Sequence, residues 1–225
     1  MLSNQEMRIE KLSAIVCIAT CVADFIVLYF LGSCYPGYNQ LKNTMSSLGA
    51  TISPVSNQIS AWWIFIGFIF IFFGIGFRKA FAEKGKSAKF ASWLIILYGV
   101  GEGIGSGAFK ANHAADAMAT SLIIHDALGG VGVVAILNLP LVLLKVFPKK
   151  ELPWFYILSW IVFVAGIVMM LLFSYRISTN ENNVLMIYQG LWQRLSLLNT
   201  YLYFIAIAFI MLKKVKFNSL IKQDT

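Results

Sequence analysis

The chain has 225 residues, of which 59% are hydrophobic and only 12% charged, with a net charge of +8. Soluble domains carry about 25% charged residues, and disorder requires low hydrophobicity with high charge, so both classes are excluded. In a soluble chain the positive charge would point to nucleic acid; in one this apolar, basic residues at the cytoplasmic ends of membrane spans explain it, and no nucleic-acid partner is expected.

Six apolar stretches are long enough for the roughly 20 residues of a transmembrane helix: 12–32, 61–77, 91–109, 119–144, 154–174 and 190–212. The first has a basic start, but its apolar run is longer than a signal core, so a retained span is expected. Cys17 and Cys21 share one helical face of it, where thiols pack as small hydrophobes. With Cys34 they form no CxxC pair, so a dithiol redox site is not indicated. The connection 33–60 is the longest. It holds the turn signal Tyr35-Pro36-Gly37-Tyr38 and then Ser46-Ser47-Leu48-Gly49-Ala50, and it is expected to fold back over the bundle end.

Span 61–77 is the shortest, and a basic turn follows it. Span 91–109 is dense in glycine: Gly99, Gly103 and Gly107 form a small-residue stripe that lets another helix approach closely. Gly129, Gly130 and Gly132 in the fourth span are the expected counterpart, because the short turn through Asn112-His113 makes these two spans antiparallel neighbours. The fourth span, 119–144, contains Pro140 and is expected to tilt or bend. The tail after residue 212 is a basic amphipathic stretch suited to anionic headgroups. Trp62, Trp63, Trp93, Trp154, Trp160 and Trp192 fall where interfacial aromatic belts belong.

Fourteen of the 18 Lys and Arg residues fall on one side of this map, and the remaining four (Lys42, Lys110, Arg176, Arg194) on the other. The positive-inside rule then places both termini in the cytoplasm and requires an even number of spans. The expected fold is all-α: a single integral membrane domain over residues 1–225, a polytopic bundle of six helices, N-in and C-in, in the cytoplasmic membrane.

Ionisable residues inside a span cost on the order of 2.5–3.5 kcal/mol at the bilayer centre and mark functional sites. Asp24, Glu102, His125, Asp126 and Arg194 are such residues. At about 1.5 Å per helical residue, Asp24, Glu102, His125 and Arg194 lie roughly 12, 10, 9 and 6 Å below the outer ends of their spans. Their agreement in depth predicts one outward-facing polar cavity beneath the Ser46–Ala50 loop, with Asp24, Ser46, Ser47, Glu102, His125 and Arg194 as ligand-binding candidates. The competing explanation is a charge pair, Arg194 with Asp24 or Glu102, that holds the bundle together.

Three chemistries suit these residues. Glu102 and His125 offer hydrogen bonding or proton transfer to a ligand, and Arg194 a contact for an anionic headgroup. Glu102, His125 and Asp126 with a loop serine would make a hydrolytic constellation. His113, His125 and Asp126 are candidates for a metal, although their spacing matches no strong metal motif. No cofactor is specified.

The motifs Ser46-Ser47-Leu48-Gly49-Ala50, Gly107-Ala108-Phe109, His125-Asp126 and Gly190-Leu191 with Gln193-Arg194-Leu195 resemble the uncharacterised bacterial and archaeal six-span proteins known as domain of unknown function 998. More broadly, the family is similar to eukaryotic membrane proteins of the damage-regulated autophagy modulator type. The domain of unknown function 998 family commonly has a Phe-Pro-like step and an acidic residue soon after the third span. Here Lys110-Ala111 follows Phe109 and Asp116 comes later, so no role carries over to this loop. The resemblance implies the fold and names no substrate. The expected function is therefore the binding or handling of a lipid or small polar ligand in the cavity. A membrane-embedded hydrolase, with or without a metal, and a purely structural or partner-binding bundle are the alternatives.

Overall fold

The computed structural model describes residues 4–111, 117–174 and 183–223. Among the described residues every regular element is helical: α1 (Asn4–Ser33), α2 (Ser56–Ala80), α3 (Gly85–Tyr98), a π-helix (Gly99–Gly105), α4 (Ser106–Ala108), α5 (Ala117–Val146), α6 (Pro153–Ser174), α7 (Val184–Ile187) and α8 (Gln189–Gln223), with 3-10 turns at Met45–Gly49 and Ala82–Lys84. Five stretches are individually long and apolar enough to cross a membrane: Met7–Ser33, Ser56–Ala80, Thr120–Val146, Pro153–Ser174 and Gln189–Phe217. The chain is a multi-pass integral membrane protein.

The helices run past the apolar stretches that announce them. α2 takes in Ser56, Asn57 and Gln58 at its start and Arg78 and Lys79 in its last turn, where cations complement the helix dipole. The long connection thus shrinks to 34–55. α5 continues through Pro140 to Val146, a break that membrane helices tolerate when neighbours re-satisfy the backbone. The basic tail continues α8 to Gln223 and is not a separate stretch. The predicted span 91–109 departs most: its path is α-helical to Tyr98, π-helical over Gly99–Gly105 and α-helical again to Ala108.

These rods form a closed ring. α1 packs on α2, α2 on α3 and the π-helix, these on α5, α5 on α6, α6 on α8, and α8 returns to α1. Side-chain register shows neighbours to be antiparallel. Trp62 of α2 meets Asp24 of α1, while a Cβ on Gly76 would collide with Ser13. Ser159 of α6 meets Tyr203 of α8 at 2.7 Å, while Asn199 donates to the Val162 carbonyl at 3.0 Å. In lipid, association rests on packing and interhelical hydrogen bonds, because the tails are as apolar as leucine. The centre is accordingly aromatic: Phe70 lies 5.3, 5.7 and 5.2 Å from the rings of Tyr98, Tyr201 and Phe204.

The connections on one end carry the lysines. There Lys84 pairs with Glu151 at 2.5 Å, and Lys214 pairs with Glu83, which ties the α2–α3 and α5–α6 turns to α8. At the opposite end, segment 34–55 lies across the bundle and is latched to the start of α8. Gly190 N–H and Leu191 N–H donate to the carbonyls of Lys42 and Leu41 at 3.3 and 2.8 Å. The Met45 N–H donates to Gln193 Oε1 at 2.6 Å.

A candidate functional site around Glu102

Glu102 is the middle residue of the π-helix. π-Turns are rare and concentrate at functional sites. Here the glycines alternate between two neighbours, as residues two apart on a helix point to opposite sides. A Cβ at Gly99 or Gly103 would lie 2.6 Å from the Gly67 carbonyl oxygen or 2.4 Å from the Gly67 Cα of α2. One at Gly101 would lie 2.3 Å from the Leu128 carbonyl oxygen of α5. The predicted Gly99–Gly103–Gly107 stripe therefore meets α2, with Gly67 as its partner, and not the glycines of α5. Of those, Gly132 packs on Glu102 itself and Gly129 lies near its carboxylate, where an added Cβ would be 3.4 Å from Oε1 and 3.6 Å from Ser106 Oγ. Gly130 has no such neighbour.

The carboxylate borders a cavity of about 60 Å³ lined by Asp24, Ser46, Trp63, Tyr98, Glu102, Ser106, His125, Gln193 and Tyr201, among others. That is room for a few waters, at about 10–15 Å³ each on the same measure. Met45 and Ser46 roof it. A second cavity of about 110 Å³ shares Met45, Tyr98, Glu102, Gln193 and Leu197 as walls and extends among α5, α6 and α8 toward Asn199 and Met170. Glu102 thus stands on the partition between two internal spaces.

The two carboxylates that line this cavity differ sharply. Asp24 is saturated: Trp62 Nε1–H donates to Oδ1 at 2.7 Å and the Tyr201 hydroxyl to Oδ2 at 2.8 Å. Among the described residues none donates a hydrogen bond to Glu102. His125 is buried and its Nδ1 lies 2.8 Å from the Phe109 carbonyl. That oxygen only accepts, so Nδ1 carries the proton, and in the neutral ring Nε2 is the basic nitrogen.

Of the predicted site residues, Asp24, Ser46, Glu102 and His125 come together around this cavity; Ser47, Asp126 and Arg194 do not. Asp126 is exposed, because the next residue along a helix turns about 100° away from the buried His125. Ser47 Oγ donates to the Thr44 carbonyl at 2.7 Å. Arg194 bonds neither Asp24 nor Glu102. Its guanidinium donates to the Tyr38 hydroxyl at 2.7 Å, Gln40 Oε1 at 2.6 Å and the carbonyls of Asn43 and Gly190, both at 3.1 Å. It is the clamp of segment 34–55. His113 lies outside the described residues. Among those described, no three His, Cys, Asp or Glu side chains gather closely enough to hold a metal.

Several residues of the site carry no signal in the sequence. Trp62, placed in an aromatic belt, bonds Asp24; Trp63 walls the cavity, whereas Trp192 turns away to donate to the Leu185 carbonyl at 3.1 Å. Tyr98 and Tyr201 read as ordinary span aromatics. Lys110 ties the end of α4 to the start of α2 through Ser56 Oγ and Ser60 Oγ at 2.7 and 2.9 Å, and desolvation lowers its pKa. Burial raises the Tyr38 phenol more than Arg194 lowers it, so it stays neutral and donates to the Thr44 carbonyl at 3.1 Å.

An all-helical, multi-pass ring around a polar internal space is the class of membrane protein that this architecture defines. Within it, residues 18–210 match the family described as "Protein of unknown function (DUF998)", and the chain belongs to that family. No curated protein and no solved structure gives a significant match.

Proposed function

We propose that the protein binds a small polar ligand or a lipid headgroup in the cavity beside Glu102, reached from the end covered by segment 34–55. In this proposal the α3–π–α4 rod crosses the bilayer with the five regular helices. The 24 residues from Gly85 to Ala108 rise about 36 Å at 1.5 Å each, less the compression of the π-turns. Six spans then place both termini and the lysine-rich turns in the cytoplasm and the cavity in the outer half of the membrane.

One observation carries the proposal: a carboxylate without a protein donor among the described residues, on π-turns, facing space between packed helices. An intramembrane acid in that state is costly unless a partner or a proton meets it. The cavity lining contains two carboxylates and one imidazole and no lysine or arginine, so the ligand's polar end is cationic or neutral. An anionic headgroup would have needed Arg194, which is committed to the loop. Ser46 Oγ lies 3.2 Å from Thr44 Oγ1, and among the described residues no hydrogen bond joins it to His125 or Glu102.

The test is native mass spectrometry of protein extracted gently from its own membrane. A bound mass in the wild type that is lost in Glu102→Gln while folding is kept supports the proposal. Equal occupancy in both proteins removes Glu102 from it.

A further inference from the structure

The lipid-facing side of the ring holds a larger space, independent of the Glu102 cavity. Between α3 and α5 runs a groove of about 910 Å³, walled by Phe90, Leu97, Gly130 and Val134, with Lys86 and Lys145 at one end. Its lining reaches from Ala127 to Lys145 along α5, about 27 Å at 1.5 Å per residue.

Three features distinguish it from an ordinary seam between helices. Gly130 has nothing within 4 Å of where its Cβ would stand. It is not a packing glycine like Gly101 or Gly132, and its missing side chain deepens the groove. Asn138 Nδ2 donates back to the Val134 carbonyl at 2.8 Å, so the one amide in the wall is satisfied within its own helix and the groove stays apolar. Lys86 and Lys145 begin α3 and end α5. Neither joins the ion pairs of Lys84 and Lys214 beside them. Two cations without an ion-pair partner among the described residues therefore stand over one mouth of an apolar groove.

We propose that this groove holds one anionic phospholipid from the leaflet on the lysine-bearing side. Its phosphate lies between Lys86 and Lys145, and one acyl chain lies along Phe90, Leu97, Gly130 and Val134. The charge complementarity selects the occupant: a zwitterionic lipid gains little from two cations, whereas anionic headgroups are attracted by each lysine near the surface.

The experiment uses the full chain in nanodiscs of phosphatidylcholine with a minor fraction of phosphatidylglycerol. Lipid retained on the protein is read by native mass spectrometry. The wild type is expected to enrich phosphatidylglycerol about tenfold over its bulk fraction. The Lys86→Gln/Lys145→Gln double variant loses that enrichment. Gly130→Leu lowers retention of the bound lipid without altering the melting temperature, because its side chain enters open space. Equal retention of the two lipids by the wild type, or undiminished enrichment in the double variant, overturns the proposal. A second copy seated on the groove would overturn it too, seen as disulfide-linked dimers of Val131→Cys in a Cys34→Ser background.

Discussion

The seam of α1, α2 and α8 and the seam of the π-helix with α5 each hold a carboxylate, Asp24 buried and Glu102 half-buried, and they treat it in opposite ways. At the first, Trp62 and Tyr201 satisfy both oxygens of Asp24, and the helices are regular. At the second, Glu102 sits on π-turns between glycines, beside two cavities. A charged residue in a span is thus not one kind of thing. Asp24 behaves as a structural joint, because each of its carboxylate oxygens accepts a hydrogen bond from a side chain of another helix. Glu102 has the marks of a working group, because the fold builds space around it.

Removing Asp24 gives the largest effect. Asp24→Ala leaves two buried donors without an acceptor, at about 1–3 kcal/mol each. A loss of about 2–5 kcal/mol is expected in denaturant or thermal unfolding of the detergent-solubilised protein. A melting temperature unchanged from wild type would abolish the contrast between the seams.

Next come the glycines. Gly103→Ala drives a methyl against the Gly67 backbone and is expected to cost about 1–3 kcal/mol. Gly130→Ala, in open space, should stay within about 0.5 kcal/mol. Comparable losses for the two would mean that the close approach of the π-helix to α2 has no energetic weight.

The loop latch is third. Arg194→Ala removes the clamp on Tyr38 and Gln40 and is expected to cost about 1–2 kcal/mol. It should also speed limited proteolysis within 34–55. The latch has a pH limit of defined sign. The folded phenol of Tyr38 is raised above its ordinary value of 10.0, so its contribution is fully present below that value. It is lost as pH rises through the raised one, and protection from proteolysis should decline there and not at acid pH.

Glu102→Gln should have the smallest effect on stability. It keeps the shape, breaks no protein hydrogen bond among the described residues, and is expected to shift unfolding by less than about 1 kcal/mol. Its consequence is confined to bound mass. A large destabilisation by this variant would make Glu102 a second structural joint and leave the proposed ligand without its anchor.

The order of residues alone established that the chain is an α-helical membrane protein and where its apolar stretches lie, because the absence of water in a bilayer permits long apolar runs only as helices with internally satisfied backbones. It also singled out Asp24, Glu102 and His125, because cost makes ionisable residues in apolar runs conspicuous. What surrounds each of them depends on how the helices pack. Periodicity could not show that Asp126 turns away from His125 or that Arg194 reaches sideways to Tyr38 and Gln40. Both depend on helix rotation and on the path of a loop. Nor could the glycine count of 91–109 show a π-helix. What the glycines do allow is the close approach of two neighbours, α2 and α5, on opposite sides of this rod. Trp62 and Tyr201 had no polar pattern to mark them: an aromatic in a span becomes a hydrogen-bond donor to a carboxylate only when the ring of helices closes and brings residues from α1, α2 and α8 together.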